Sequence, residues 1–164
     1  MNTEFPTLHM LCGKIGSGKS TLASQLASRP STVMLSEDTW LGALFSDQMS
    51  TPNDYMRCAA KLRGIMGAHV GSMLTAGVSV VLDFPANTPE TRVWMRGILD
   101  GTHALHELHV LDVPDEVCLA RLHARNAQGD HPFAVSEAQF HLFARHYVPP
   151  TPGEGFTIVR HASQ

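Results

Sequence analysis

Gly13-Lys14-Ile15-Gly16-Ser17-Gly18-Lys19-Ser20 has the spacing G-x-x-x-x-G-K-[ST], the P-loop or Walker A pattern. Its chemistry follows from the residue types. Glycines let successive backbone N–H groups turn inward as an anion-binding nest, with no Cβ in the way. A helix opening straight after the nest aims its unsatisfied N–H groups and its partial positive charge at the same spot. Lys19 adds a full charge for β- and γ-phosphates, and the Ser20 hydroxyl suits Mg²⁺. Such a motif should follow a strand and start a helix. Leu8 to Cys12 reads as a short apolar strand, and Thr21 to Ala27 as a helix with apolar residues at 22, 23 and 26. The candidate nucleotide-binding stretch is therefore Gly13 to Thr21, with Lys14, Ile15, Gly16, Ser17, Gly18, Lys19 and Ser20 between.

Outward from this stretch, strands and helices alternate. Ser31 to Ser36 reads as a second strand, followed by Glu37-Asp38-Thr39 and a helical Trp40 to Phe45. From Tyr55 to Leu74 the apolar residues fall at helical spacing, and Gly77 stops the run. Val78 to Asp83 is apolar until its last residue, the profile of a strand buried on both faces of a parallel sheet. Pro85 and Pro89 bracket a loop, and Thr88 is placed to cap a helix through Leu99. Leu108 to Val113 forms a further strand. Pro114 with Asp115 and Glu116 opens a helix to about Asn126. After a polar loop over Ala127 to Pro132, Ser136 caps a helix to Tyr147, and Phe156 to Arg160 makes the last strand. Strands alternating with helices imply an α/β fold, a parallel sheet with helices on both faces, which binds ligands beyond the carboxyl ends of its strands.

The chain has 164 residues, 43% of them apolar, and a net charge of −3. One globular domain over 1–164 is the expectation. The charge provides no footprint for duplex nucleic acid, so a nucleic-acid partner is not expected. No run approaches the length of a membrane span, and Met1 to Thr7 lacks the pattern of a secretory signal. Cys12, Cys58 and Cys118 are odd in number and widely spaced, which suits reduced thiols in a cytoplasmic protein. Cys12, at a strand end, reads as a small packing residue. Among the ten histidines, His103, His106 and His109 are three apart in a strand-like region and do not share a face. None pairs locally with a carboxylate in a zinc-ligand pattern, so metal binding by histidine is not expected.

Polar residues at the strand ends carry the rest of the chemistry. The second strand ends near Asp38 and the third at Asp83, on the same rim as the P-loop. Phosphoryl transfer needs a phosphate cradle, a metal, and a carboxylate to orient and deprotonate the attacking hydroxyl. Asp38 is the candidate base, with Glu37 as the alternative; Asp83 would support Mg²⁺ together with Ser20, or hold substrate. Arg121 and Arg125 lie four apart on one helix face and can clamp phosphate oxygens, ahead of a short lid at about 126–135. Trp40 and Phe84, next to the two carboxylates, are candidates for a substrate wall, and Arg92 is a candidate substrate contact.

These features resemble the small P-loop kinases of nucleoside-monophosphate-kinase type. The likeness is greatest to the AAA-type ATP-binding group near phage polynucleotide 5′-kinase, chloramphenicol phosphotransferase and zeta toxins. It rests on Gly13 to Thr21, Ser36-Glu37-Asp38, the strand ending at Asp83, and Leu119 to Asn126 with its R-x-x-x-R pair. The resemblance implies a three-layer P-loop NTPase fold with sheet order 2-3-1-4-5, and ATP and Mg²⁺ as cofactors. It also implies Asp38 as general base and Arg125, with Arg121 beside it, on the phosphates. Adenine would lie near the lid base and Pro150 to Glu154. The polynucleotide kinases of the group carry arginine three residues past the base, where this chain has Leu41. The activity implied is transfer of the γ-phosphate to a hydroxyl of a small molecule, a metabolite or antibiotic. The alternatives are a polynucleotide, nucleotide or toxin-like sugar-nucleotide kinase, and a nucleotide-binding switch without its own acceptor. A bare hydrolase would want a glutamate after Asp83, where Phe84 and Pro85 stand. Acceptor identity and oligomeric state are not written in the sequence.

Overall fold

The computed structural model describes residues 4–129 and 134–162. Its strands are β1 (Thr7–Cys12), β2 (Thr32–Ser36), β3 (Ser79–Pro85), β4 (Leu105–Asp112) and β5 (Ile158–Ala162). They pair in parallel in the order β2-β3-β1-β4-β5, the order the resemblance implies. The helices are α1 (Lys19–Ala27), α2 (Glu37–Phe45), α3 (Pro52–Thr75), α4 (Pro89–Ile98), α5 (Asp115–Gln128) and α6 (Glu137–Arg145).

The alternation of side chains along each strand sorts the core into layers. On one face, Leu8, Met10, Val80, Leu82 and Leu108 pack against Leu62, Met66 and Val70 of α3 and Met95 of α4. On the other, Leu11 and Val81 pack against Ala23 and Leu26 of α1. Val80, Val81 and Leu82 are all fully buried, as the apolar run at 78–82 requires of a strand with neighbours on both edges. α3 is anchored by a capping box in which Thr51 accepts from the Asp54 amide and Asp54 accepts from the Thr51 amide. Such a cap is worth about 1 kcal/mol.

Several boundaries differ from the sequence reading. α2 starts at Glu37 rather than Trp40, because Ser36, the last residue of β2, is already its N-cap, its hydroxyl accepting from the Thr39 amide at 3.4 Å. β4 begins at Leu105, three residues early, where Leu105 N donates to Pro6 O at 2.8 Å. β5 lies two residues later than expected. α5 continues through Gln128, with Gly129 as its left-handed cap at φ 70°. Of the lid expected at 126–135, residues 130–133 lie outside the described residues. Among the described residues, no helix is long and apolar enough to cross a membrane.

Candidate active site

The P-loop runs from the end of β1 into the first turn of α1, as its spacing predicts. Two of its glycines are required by geometry. Gly16 has φ 80°, and a Cβ there would lie 2.5 Å from the Cys118 carbonyl oxygen of α5. A Cβ on Gly13 would lie 2.5 Å from Ser17 Oγ and 3.2 Å from the Leu111 carbonyl oxygen. The loop is thus packed between β4 and α5, and its backbone is the wall of the nest. Lys19 folds its ammonium over this wall, donating to the carbonyls of Gly13 and Lys14, the latter at 2.9 Å. Burial of the ammonium in the cleft pushes Lys19 down to about 8, while the carboxylates of Asp83 and Asp38 oppose that shift. Ser20 and Thr21, in the first turn of α1, are exposed. Lys14 pairs with Asp115 at 2.6 Å and covers the Tyr147 ring; Ile15 packs on the cluster of Cys118, Leu122 and Phe140.

β2 and β3 bring two carboxylates to this rim. Ser36 pairs in register with Asp83, so Asp83 stands beside the strand end that leads into Asp38. On its other edge β3 is irregular: the register with β1 jumps from Met10–Leu82 to Leu11–Pro85. Pro85 has no amide to donate, and the next one, Ala86 N, reaches Leu11 O at 2.9 Å. Bulges of this kind re-aim side chains next to functional sites. Asp38 is half-buried in the first turn of α2, where the helix dipole favours its charge.

α5 supplies the arginines. Arg121 Nη1 is 3.4 Å from the Gly16 carbonyl, so its guanidinium lies against the P-loop. Arg125 is partly buried; burial lowers the stability of its charge and the Asp38 carboxylate restores part of it, which sets Arg125 and Asp38 in each other's field. Arg125 Nε and Ser17 Oγ are buried without a hydrogen-bond partner among the described residues. Orphaned donors in a nest of inward amides fit an anionic guest. The glycine cradle fits the phosphates of ATP by the same test.

Three sequence expectations are corrected. Glu37 is 1% exposed; its oxygens take the Tyr55 hydroxyl at 2.7 Å and the Arg63 guanidinium at 3.3 Å. Burial raises its pKa, and it cannot reach a substrate as the alternative base. Tyr55 also lies 3.4 Å from Asp38 Oδ1, so Glu37 serves to fix the first turn of α2. Arg92 is 1% exposed and is no substrate contact. Its Nε donates to Glu154 at 2.7 Å, and its Nη1 donates to the Ala86 and Val148 carbonyls. It ties the loop after β3 to the segment before β5. Phe84 is fully buried against the Trp94 ring, 5.7 Å between centroids, so it is core rather than substrate wall. Trp40, two residues past Asp38 in α2, is exposed.

Asn87 escaped the sequence reading. Its Oδ1 accepts from the Gly13 amide at 2.9 Å and its Nδ2 donates to the Gly13 carbonyl at 2.8 Å. Its own carbonyl accepts from Val148 N. An asparagine after a strand carries no signal beyond a turn; only the topology reveals what it grips.

The profile of the AAA-domain family matches residues 8–150. No curated protein matches the sequence. Solved structures do. A candidate kinase from Chloroflexus aurantiacus superposes with a TM-score of 0.77 at 21% identity, over 97% of this chain and 86% of that one. A chain of the Pnkp1/Rnl/Hen1 RNA repair complex gives 0.67 at 21% identity, over 87% of this chain but only 44% of its own length. APS kinase CysC of Mycobacterium tuberculosis, solved with AMPPNP and APS, gives 0.59 at 21% identity, over 96% and 88% of the two chains. At such identities the likeness is one of fold. With the profile spanning most of its length and that fold around a complete P-loop, the chain belongs to the AAA-domain family and is a small P-loop kinase-like protein.

Proposed function

We propose that this chain, acting as one P-loop kinase domain over 1–164 in the cytoplasm, is an ATP- and Mg²⁺-dependent phosphotransferase. Its acceptor is a hydroxyl of a small molecule, a metabolite or antibiotic. The observation that carries the reading is the complete P-loop at the end of β1, on the rim where β2 leads into Asp38 and β3 carries Asp83. Bound Mg-ATP would supply the phosphoryl group to be transferred. The amides of Gly13 to Ser20 and the Lys19 ammonium would bind its phosphates, with Thr21 beside them at the helix start. Ser20 and Asp83 would hold the Mg²⁺. Arg121, against the P-loop, and Arg125, in the field of Asp38, would meet the charge that develops during transfer. Asp38 takes the proton of the acceptor hydroxyl, oriented by the buried Glu37–Tyr55–Arg63 group behind it. The likeness to an APS kinase solved with a nucleotide and a small acceptor supports this reading.

A polynucleotide acceptor is the second reading, favoured by the likeness to a chain of an RNA repair complex. Against it, Leu41 is wholly buried in the core where the polynucleotide kinases of the group carry arginine, and the chain is acidic. ADP formation with Mg-ATP and a pool of small hydroxylated compounds, followed by mass spectrometry, tests the assignment. A phosphorylated product is expected from the wild type and not from Lys19→Ala or Asp38→Asn, with nucleotide binding retained by Asp38→Asn. Full turnover by Asp38→Asn would withdraw the base. Nucleotide binding with only slow hydrolysis across the whole pool would replace the kinase with a nucleotide-dependent switch.

A further inference from the structure

On the face of the sheet that α1 partly covers, two histidines and a glutamate replace the aliphatic residues expected of interior strands, and a third histidine lies on the edge strand β5. β1 and β4 pair with His9 opposite Glu107 and Leu11 opposite His109. β5 adds His161 beside β4. His9 and His109 are each 3% exposed, a costly place for imidazoles unless their ring nitrogens have work to do. Three ligand atoms converge. His9 Nδ1 is 3.1 Å from His109 Nε2, and Glu107 Oε2 is 3.4 Å from the first and 3.2 Å from the second.

We propose that His9, His109 and Glu107 form a binding site for a zinc-class divalent transition-metal ion, separate from the phosphate site. The triangle of donor atoms has the right size. Tetrahedral zinc holds nitrogen and oxygen ligands at about 2.0–2.1 Å, which places neighbouring ligand atoms about 3.3 Å apart. Edges of 3.1, 3.2 and 3.4 Å make one face of that tetrahedron. The ligand set, two imidazoles and one carboxylate, suits a borderline metal rather than magnesium or calcium. The second shell is also in place. His161 Nε2 lies 2.9 Å from His109 Nδ1, so His109 can donate its Nδ1 proton there and turn the Nε2 lone pair to the metal. The Glu107 side chain is 38% exposed, leaving an entry path and an open fourth position for water. His9 precedes Gly13 by four residues, roughly 13 Å along a strand, so the ion would sit well below the phosphate cradle and tie β1 to β4.

Metal-free protein titrated with zinc against a chromophoric chelator, and with cobalt by visible absorption, tests the site. One equivalent per chain is expected, with tetrahedral cobalt bands and a higher melting temperature in zinc. Glu107→Gln, at a half-exposed position, should keep the fold and weaken binding at least tenfold. His161→Gln should weaken it roughly 10- to 100-fold, as loss of an outer-shell partner does. His9→Gln should abolish it. The exposed pair His123 and His141, which share Glu137 at 3.5 and 3.7 Å, supplies the control. His123→Gln should change nothing. Absence of binding by the wild type overturns the proposal, as does binding that survives Glu107→Gln and is lost in His123→Gln.

Discussion

Asn87 grips Gly13 by both of its backbone groups, accepting from the amide at 2.9 Å and donating to the carbonyl at 2.8 Å. The grip fastens the P-loop to the turn that follows β3, the strand carrying Asp83. Asn87→Ala would strand the amide of a buried residue, at about 1–3 kcal/mol. Thermal unfolding should register that loss. Equilibrium titration should show weaker ATP binding, because the cradle would be held from one side only. Unchanged affinity at lower stability would make Asn87 a brace of the fold alone.

Gly16 is where the P-loop touches α5, with left-handed backbone and no room for a methyl group above Cys118. Gly16→Ala is expected to cost on the order of 1–3 kcal/mol for the backbone strain, and more if α5 yields. Because α5 carries Arg121 and Arg125, the substitution should lower phosphotransfer beyond its effect on ATP affinity. Gly64 lies in the middle of α3, and a Cβ there would meet nothing within 4 Å, so Gly64→Ala should be neutral or stabilising. Urea unfolding of the two variants side by side measures the contrast.

Asp38 and Arg125 lie in each other's field, but their substitutions should fail in different ways. Asp38→Asn keeps the shape and loses the proton acceptor, so turnover should fall roughly 100- to 10,000-fold with nucleotide binding intact. Arg125→Lys keeps the charge and loses the planar fork, including the buried Nε. It should lower turnover and also weaken nucleotide binding. Steady-state rates with a direct nucleotide titration separate the two patterns; identical profiles would remove the assignment of distinct roles.

Much of this was legible in the sequence. The P-loop spacing, the apolar run ending at Asp83 and the capped helices carry the architecture, because each is a local pattern. That the second and third strands end side by side, at Ser36 and Asp83, was legible as well. What stayed hidden depends on contacts between distant segments. Arg92 looked like a substrate contact beside the Asp83 loop, yet its partners are Ala86, Val148 and Glu154. Phe84 looked adjacent to the site, and strand alternation turned it into the core. His9 and His109 are a hundred residues apart, and only the β1–β4 register brings them together.

Glu37 offers a test in pH. Desolvation raises its folded-state pKa above that of the unfolded chain, while Arg63 and the Tyr55 hydroxyl oppose the rise. Between the two values the native state holds a proton that the unfolded state has lost. The contribution of Glu37 to stability is therefore fully present below the unfolded carboxyl pKa and is lost as pH rises through the folded one. Glu37→Gln has no proton to lose. The stability of wild type minus that of Glu37→Gln, measured by urea unfolding in a pH series, should fall across this window and then level. Other groups titrate in both proteins and cancel in the difference. A difference that rises with pH would mean that Arg63 and Tyr55 outweigh burial, with the charged carboxylate as the favoured native form. Activity should run the other way and rise as Glu37 ionises, since a neutral Glu37 would loosen Arg63 and the first turn of α2 on which Asp38 sits.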